Sequence, residues 1–261
     1  MPDFLLEIGC EEIPARMIDA ASQELRQRVA ALLTQQRLGN SEVESFDTPR
    51  RLAVLASGIS PAQDDVTEQI TGPSANVGYK DGQPTAAAHA FAKKAGVDVS
   101  QLQRLSTPKG EYLAALVTRK GRSAMEILAE CLPKEIATMY WPKSMYWTKP
   151  NERFVRPVRW LVAMLDGETI PLGFDGIQAG TQSRGHRILT DTAVSIPRAG
   201  SAYVDALRAA KVLGRAERER QIRKALDAAT RTVAGARWRE DKPLLDTVVN
   251  LTEFPSAVLG G

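Results

Sequence analysis

The stretch from residue 153 to residue 160 combines the two side-chain types that RNA-binding surfaces use most. It reads Arg153-Phe154-Val155-Arg156-Pro157-Val158-Arg159-Trp160 and places three arginines and two aromatic residues within eight positions. A guanidinium can neutralise a phosphate, and an aromatic ring can stack on an unpaired base. Nucleic-acid contact is therefore one hypothesis for this stretch. Successive strand residues point to opposite faces, so we expect about half of these side chains, Trp160 included, to lie in the core.

Two other basic sites extend this pattern. Arg50-Arg51 follows Pro49 at a predicted corner, and Arg184 precedes Gly185-His186-Arg187. The complete set of candidate RNA-binding residues is Arg50, Arg51, Arg153, Arg156, Arg159, Arg184, His186 and Arg187. The planar guanidinium fork suits a carboxylate as well as a phosphate. Internal ion pairs with the acidic N-terminal part, including Glu11 and Glu12, therefore stay open as the alternative.

The distribution of charge favours a polyanion near the second half of the chain. The 261 residues carry 34 Lys and Arg against 31 Asp and Glu. Residues 1–80 have 7 basic against 12 acidic side chains, whereas residues 184–242 have 14 basic against 7 acidic ones. Such asymmetry suggests an anionic partner, although arginine-rich helices are also common as solvated surface.

Several catalytic motifs are absent from the sequence. It has no GxxxxGK[ST] phosphate loop, no GxGxxG after a strand and no GxSxG elbow. His89 and His186, its two histidines, are far apart, and Cys10 and Cys131 form no CxxC, so we expect no metal site. Adjacent acids such as Glu11 and Glu12 point apart and form no acid–base pair by spacing alone. A nucleophile–histidine–acid arrangement assembled in three dimensions stays open.

Periodicity predicts the elements that position these residues. Expected strands cover residues 4–9, 42–47, 52–56 and 111–118, and a hairpin joins 158–165 to 168–174 through Asp166-Gly167. Expected helices follow Pro14 as far as Gly39, lie near 85–95 before Gly96, and start at the Ser123/Glu126 capping box. Residues 60–85 are expected to form one long loop. Helices are expected again from residue 201 and over 244–251.

These elements indicate an α+β protein with a mixed sheet and packed helices. Residues 1–197 are expected to form one mixed α+β domain, and residues 198–261 a helical segment cut from a longer chain. No apolar run approaches the roughly 20 residues of a membrane span, and no secretory signal is recognisable at the N-terminus. We therefore expect a cytoplasmic protein without membrane contact.

Six ordered motifs give the chain a resemblance to a known family. They are residues 7–14 (EIGCEEIP), 48–53 (TPRRLA), 109–112 (KGEY), 154–160 (FVRPVRW), 185–187 (GHR), and Leu244-Leu245 through residues 250–255 (NLTEFP). In this order they resemble the β subunit of the bacterial heterotetrameric glycyl-tRNA synthetase, over essentially the whole chain. Two departures are Tyr146, where the family usually has Arg, and Ile188, where it often has an aromatic residue.

The resemblance implies a division of labour between subunits. The family joins glycine to its tRNA with ATP, through glycyl-adenylate. Two α subunits hold the active site, where ATP and Mg²⁺ are expected, and two β subunits help to hold the tRNA. This chain looks like the N-terminal part of the β subunit, with no cofactor of its own. The implied partners are the α subunit, glycine tRNA and a second β subunit. The fold is implied to be similar to the editing-type module of the phenylalanyl-tRNA synthetase β subunit.

Three functional hypotheses follow for this part of the subunit. The first is a non-catalytic module for tRNA binding and subunit assembly. The second is an editing hydrolase for mischarged tRNA, which is less needed here because a tight pocket for glycine excludes larger amino acids by steric clash. The third is a purely structural module whose arginines make internal ion pairs.

Overall fold

The computed structural model describes residues 1–39, 42–80, 82–108, 110–148 and 152–259. Lys109 of the KGEY motif and the terminal Gly260-Gly261 lie outside the described residues. The helices of the described part are α1 (Ala15–Gln35), α2 (Ala75–Gly78), α3 (Ala86–Ala95), α4 (Ala124–Ala137), α5 (Ser201–Ala209), α6 (Arg215–Arg231) and α7 (Lys242–Val249). A short 3-10 helix covers Val99–Gln101.

The strands are numbered in chain order. They are β1 (Phe4–Cys10), β2 (Val43–Thr48), β3 (Arg51–Ala56), β4 (Val66–Ser74), β5 (Tyr79–Lys80), β6 (Gln83–Pro84), β7 (Gln103–Thr107), β8 (Gly110–Arg119), β9 (Met145–Tyr146), β10 (Arg153–Phe154), β11 (Val158–Leu165), β12 (Glu168–Thr169), β13 (Gly173–Phe174), β14 (Ile177–Gly180), β15 (Gln182–Arg184) and β16 (Ala193–Ser195). The protein is therefore α+β, as expected.

The chain divides into two compact units. Unit 1 contains residues 1–62 and 123–261, and unit 2 contains residues 63–122. The expected boundary after residue 197 falls inside unit 1. The physical reason is that Tyr203 and Leu207 of α5 are buried in the same apolar cluster as Leu5 and Val162 of the sheet.

The main sheet of unit 1 is mixed, as expected, with the strand order β13-β14-β11-β1-β3-β2 and β12 beside β11. The central strand β1 is antiparallel to both neighbours, whereas β11 and β14 run parallel. Helices α1 and α4 cover the face that includes Phe4, Leu6 and Ile8. Because the opposite face is covered as well, β1 is buried along its whole length. Burial on both faces explains its nearly continuous apolar sequence.

Unit 2 corrects one expectation from the sequence. Its three-stranded antiparallel sheet has the order β4-β8-β7, so β4 and α2 occupy much of the expected 60–85 loop. Strand β4 lies at the sheet edge and leaves most side chains exposed or half-exposed. An edge strand of this kind has no apolar alternation, which explains why the pattern indicated a loop.

Most of the other helices and strands expected from the sequence are confirmed, and one hairpin is confirmed only in part. The Ser123/Glu126 capping box of α4 is confirmed, as are the expected strands in β1, β2, β3 and β8. The expected hairpin at Asp166-Gly167 is confirmed only for its first two pairs. Beyond them the chain leaves β11, and Phe174 pairs with Ile177 of β14 instead. Within the described ranges, no helix is both long and apolar enough to cross a bilayer.

Candidate nucleic-acid interface

The face of β1 that points toward α5 carries a buried carboxylate. Glu7 is fully buried between apolar neighbours, where an isolated charge is costly. Its Oε1 accepts hydrogen bonds from the indole Nε1 of Trp160 and from the Ser183 hydroxyl, the latter at 2.6 Å. Glu7 therefore anchors the side chains of two other segments to the central strand.

Arg51 supplies the countercharge for this carboxylate. Its guanidinium is fully buried and lies 3.8 Å from Glu7 Oε2 and 3.3 Å from Glu253 Oε1. It donates further hydrogen bonds to the Ser183 hydroxyl at 3.1 Å and to the Arg184 carbonyl at 2.8 Å. Burial lowers the pKa of Arg51, but the two carboxylates outweigh it and hold the pKa above its usual value. Arg51 is thus a cation locked between two carboxylates.

This geometry corrects one of the candidate residues. A polyanion in solvent cannot reach Arg51 in this conformation, because its side chain has no exposed surface. The sequence left two roles open for Arg50-Arg51, phosphate binding and internal ion pairs. Arg51 makes internal ion pairs. Its partners are Glu7 and Glu253 rather than Glu11 or Glu12.

Three other candidate arginines lie around Glu11 and Glu12, just after β1 ends. Arg159 Nε is 2.8 Å from Glu11 Oε1, and Arg187 Nη1 bridges Glu11 Oε2 at 3.3 Å and Glu12 Oε1. Arg156 donates to the Glu12 carbonyl at 3.0 Å. Partial burial raises the pKa of Glu12, but its backbone hydrogen bond and Arg187 outweigh this and hold the pKa below its usual value. The expected alternative of ion pairs with the acidic N-terminal part is therefore observed here.

Arg50 and Arg184 adjoin this group and make no ion pair within the described part of the chain. The guanidinium of Arg50 lies 5.5 Å from the centroid of the Trp160 ring, and its Nε and Nη1 are buried without a hydrogen-bond partner among the described residues. Arg184 is exposed, and only its backbone carbonyl is engaged, by Arg51. We call Arg50, Arg156, Arg159, Arg184 and Arg187 the arginine cluster.

The two remaining candidates occupy different places. His186 lies beside the arginine cluster, and its Nδ1 accepts backbone hydrogen bonds from Ile188 and Leu189 at 3.2 Å each. Arg153 lies apart on β10, with its guanidinium 5.0 Å from the centroid of the Tyr146 ring. The structure therefore brings seven of the eight candidates to one end of the central strand and separates Arg153 from them.

The sequence analysis missed the buried charges. Glu7 is a charged residue within an otherwise apolar strand. A charge in such a strand could have predicted a buried polar network, because charged side chains are rarely buried without a partner. Arg218 of α6 gave no such signal, yet it is fully buried. Its guanidinium donates to the carbonyls of Asp47, Leu213 and Val249 at 2.6, 2.7 and 3.0 Å, and thereby ties α6 to β2 and α7.

The described residues offer little for metal or nucleophilic chemistry. Among them, no group of three or more His, Cys, Asp or Glu side chains could hold a metal ion. Cys10 is buried, and burial raises the pKa of its thiol well above the usual value, which keeps it in the unreactive thiol form.

Five of the six motifs, all but residues 109–112, contribute residues to this end of β1. Glu7 and Glu11 come from the first motif, Arg51 from the second, Arg159 from the fourth and Glu253 from the last. Contacts among these residues and Ser183 join segments that lie up to 202 residues apart. Motifs scattered along the chain therefore form one connected site.

Comparison with known proteins gives a consistent result. A family model described as glycyl-tRNA synthetase beta subunit matches residues 4–261. The glycine–tRNA ligase beta subunit of Acidobacterium capsulatum is 58% identical over the whole chain. Those of Myxococcus xanthus and Gloeothece citriformis are 40% and 38% identical over 99% and 100% of the chain.

The match is to one part of each relative. The chain spans about 37% of the length of these three proteins, and in the first of them it corresponds to the N-terminal part. The family model nevertheless covers nearly every residue present here. On this basis, the chain belongs to the glycyl-tRNA synthetase beta subunit family.

Proposed function

We propose that this chain is the N-terminal part of the beta subunit of a glycine–tRNA ligase and that it helps to bind tRNA and to assemble the subunits. In this proposal the ligase attaches glycine to its tRNA with ATP, through glycyl-adenylate. ATP and Mg²⁺ bind to a separate alpha subunit, and two alpha and two beta subunits form the enzyme. This part of the beta subunit forms no adenylate.

The observation that carries the RNA-binding role is the excess of cations at the arginine cluster. Arg159 and Arg187 of the cluster pair with Glu11 and Glu12, whereas Arg50, Arg156 and Arg184 make no ion pair within the described residues, so about three positive charges stay uncompensated. Arg159 and Arg187 keep more than half of their side-chain surface exposed despite their ion pairs. A partly solvated cation can still contact a phosphate, and such contacts release counterions.

The salt dependence of tRNA binding tests this proposal. We expect the 261-residue chain to bind a glycine tRNA transcript with an affinity that falls steeply between low and moderate salt. Arg50→Ala and Arg184→Ala should each lower the slope of log affinity against log salt by about 1, because each removes one phosphate contact. Filter binding or fluorescence anisotropy gives both quantities.

Arg198→Ala is the matched control. Arg198 is an exposed arginine that pairs with Asp166 at the opposite end of β1, at 2.9 Å. The proposal is contradicted if the chain fails to bind tRNA at low salt, if the affinity does not depend on salt, or if all three substitutions have the same effect.

The observed ion pairs favour a second candidate function, a purely structural module. Arg159 and Arg187 are already bound to Glu11 and Glu12, and Arg51 is buried. For this candidate, Arg159→Ala combined with Arg187→Ala would lower the urea midpoint and leave tRNA affinity unchanged. For the RNA-binding role, the double substitution would weaken tRNA binding with little effect on stability, since exposed pairs contribute only about 0–1 kcal/mol each.

A further inference from the structure

Unit 1 also exposes several large side chains within one short segment of the chain. Within residues 140–147, Tyr140, Met145, Tyr146 and Trp147 are 72%, 50%, 54% and 37% exposed. Single exposed apolar residues are common on protein surfaces, but a contiguous group marks an interaction site. We call these four residues and Arg153 the aromatic surface.

The backbone beneath the aromatic surface is held in place. The Tyr140 amide donates to Glu24 Oε1 at 3.0 Å, and the Trp147 indole donates to the Phe154 carbonyl at 3.1 Å. Between them Trp141 is buried, with its ring edge against Phe154 at 5.0 Å. The segment that carries the exposed rings is therefore held in place before any ligand arrives, which reduces the entropy cost of binding.

Cations without carboxylate partners accompany the rings. Within the described ranges, Lys143 and Arg153 make no ion pair. Arg153 covers the Tyr146 ring and also lines a cavity of about 600 Å³ together with Tyr140 and Lys143. Three carboxylates adjoin this segment. Glu24 is engaged by Arg28 and by the Tyr140 amide, Asp175 accepts from the Thr148 amide at 3.0 Å, and Glu152 accepts from the Asp175 amide.

We propose that the aromatic surface stacks the unpaired bases of a single-stranded RNA segment, with Lys143 and Arg153 at its phosphates. Aromatic rings and arginine planes bind the faces of splayed bases, and unpaired cations bind the backbone between them. Lys143 and Arg153 make no ion pair among the described residues, and cations of this kind favour a polyanion over a protein surface of mixed charge. This inference rests on the proposed role in tRNA binding, and it adds a site that recognises unpaired nucleotides.

A short unstructured RNA oligonucleotide and an RNA duplex of equal charge test the inference. We expect Tyr146→Ala to weaken oligonucleotide binding about 10-fold and to leave duplex binding unchanged, because only unpaired bases stack. Tyr146→Phe should retain the wild-type affinity. Arg153→Lys should keep the salt slope but lower the affinity, because it keeps the charge and loses the planar group.

Tyr79→Ala is the matched control, since Tyr79 also lies beneath an arginine, Arg104, at 5.9 Å but within unit 2. It should leave oligonucleotide binding unchanged. Circular dichroism and urea midpoints check that each variant is folded. An equal effect of Tyr146→Ala on oligonucleotide and duplex, or no effect on either, overturns the inference.

The outcomes separate this inference from the proposed function. If Arg184→Ala weakens tRNA binding while Tyr140→Ala and Tyr146→Ala do not weaken oligonucleotide binding, the inference fails and the proposed function stands. If no RNA binds at low salt, both fail. If the tyrosine substitutions leave RNA binding intact but weaken co-elution with a purified alpha subunit, the aromatic surface is a protein interface and the inference is wrong.

Discussion

At the scale of single residues, the most informative feature is the pairing of Arg51 with two buried carboxylates. Burying a lone charge costs far more than an ion pair returns, so the charges of Glu7, Arg51 and Glu253 depend on one another. Arg51 also holds the Arg184 backbone, at 2.8 Å. Arg51, which belongs to the second motif, thus holds the backbone of the arginine cluster although its own side chain is buried.

The first prediction concerns Arg51. Arg51→Met should lower the free energy of unfolding by roughly 3–5 kcal/mol, because Glu7 and Glu253 lose their buried countercharge. Arg51→Lys should have a smaller effect, because it keeps the charge but cannot form all of the guanidinium hydrogen bonds. Urea unfolding followed by circular dichroism measures both.

Arg184→Ala controls for the loss of a positive charge at the same site. Since the Arg184 side chain is exposed and unpaired within the described residues, its removal should change stability by no more than about 0.5 kcal/mol. A change of less than 1 kcal/mol for Arg51→Met would contradict the importance of the buried network.

At the scale of elements, β1 depends on a close contact with β11. Gly9 pairs with Trp160 in the register of the two strands. A Cβ atom at Gly9 would lie 1.9 Å from Cε2 of the Trp160 ring. The absence of a side chain at this position therefore lets the indole lie across the strand and reach Glu7 with its Nε1.

The second prediction tests this contact. Gly9→Ala should destabilise unit 1 by at least 1–3 kcal/mol, the usual range for overpacking, because the indole must move and lose its bond to Glu7. Near-ultraviolet circular dichroism should report the displaced tryptophan, and the urea midpoint should fall.

Gly180→Ala is a matched control in the same sheet, since a Cβ atom there meets nothing within 4 Å. It should leave the near-ultraviolet spectrum unchanged and should not lower the midpoint, since alanine is favoured over glycine in a strand. Equal midpoints for the Gly9→Ala and Gly180→Ala proteins would show that the indole shifts without cost.

At the scale of the whole molecule, unit 2 is an insertion between two residues of unit 1 that are adjacent in space. Ala62 and Ser123 form an antiparallel bridge, and the Ala124 amide donates to the Pro61 carbonyl at 2.8 Å. The two ends of unit 1 that flank residues 63–122 are therefore adjacent. Paired residues of this kind lie about 5 Å apart between Cα atoms, a gap that a few residues can span.

The third prediction follows from this adjacency. Replacing residues 63–122 by three glycines should leave a protein that unfolds cooperatively, since the core clusters of unit 1 contain no residue from this range and a shorter connection costs less closure entropy. Differential scanning calorimetry measures the transition.

The shortened chain should also keep the salt-dependent tRNA affinity, because every residue of the arginine cluster lies in unit 1. A chain of residues 63–122 alone serves as the comparison for RNA binding. Loss of a cooperative transition in the shortened chain would show that the two units do not fold independently.

The sequence by itself determined much of the local structure. Strand β1 was predictable from a nearly continuous apolar run, and α4 from a capping box, because those signals depend on neighbours within a few residues. The basic residues near the end of β1 were also recognised from their types and spacing. The resemblance to a family likewise rested on short motifs that can be recognised in the sequence.

Only the tertiary structure decided which of these arginines meet a carboxylate. Arg50 and Arg51 are adjacent in sequence, yet one makes no ion pair within the described residues and the other is locked between Glu7 and Glu253. Glu253 lies 202 residues from Arg51, so no local pattern could indicate their contact. The physical reason is that the energy of a charge depends on its burial and on its partners in space, and both are fixed only when distant segments pack together.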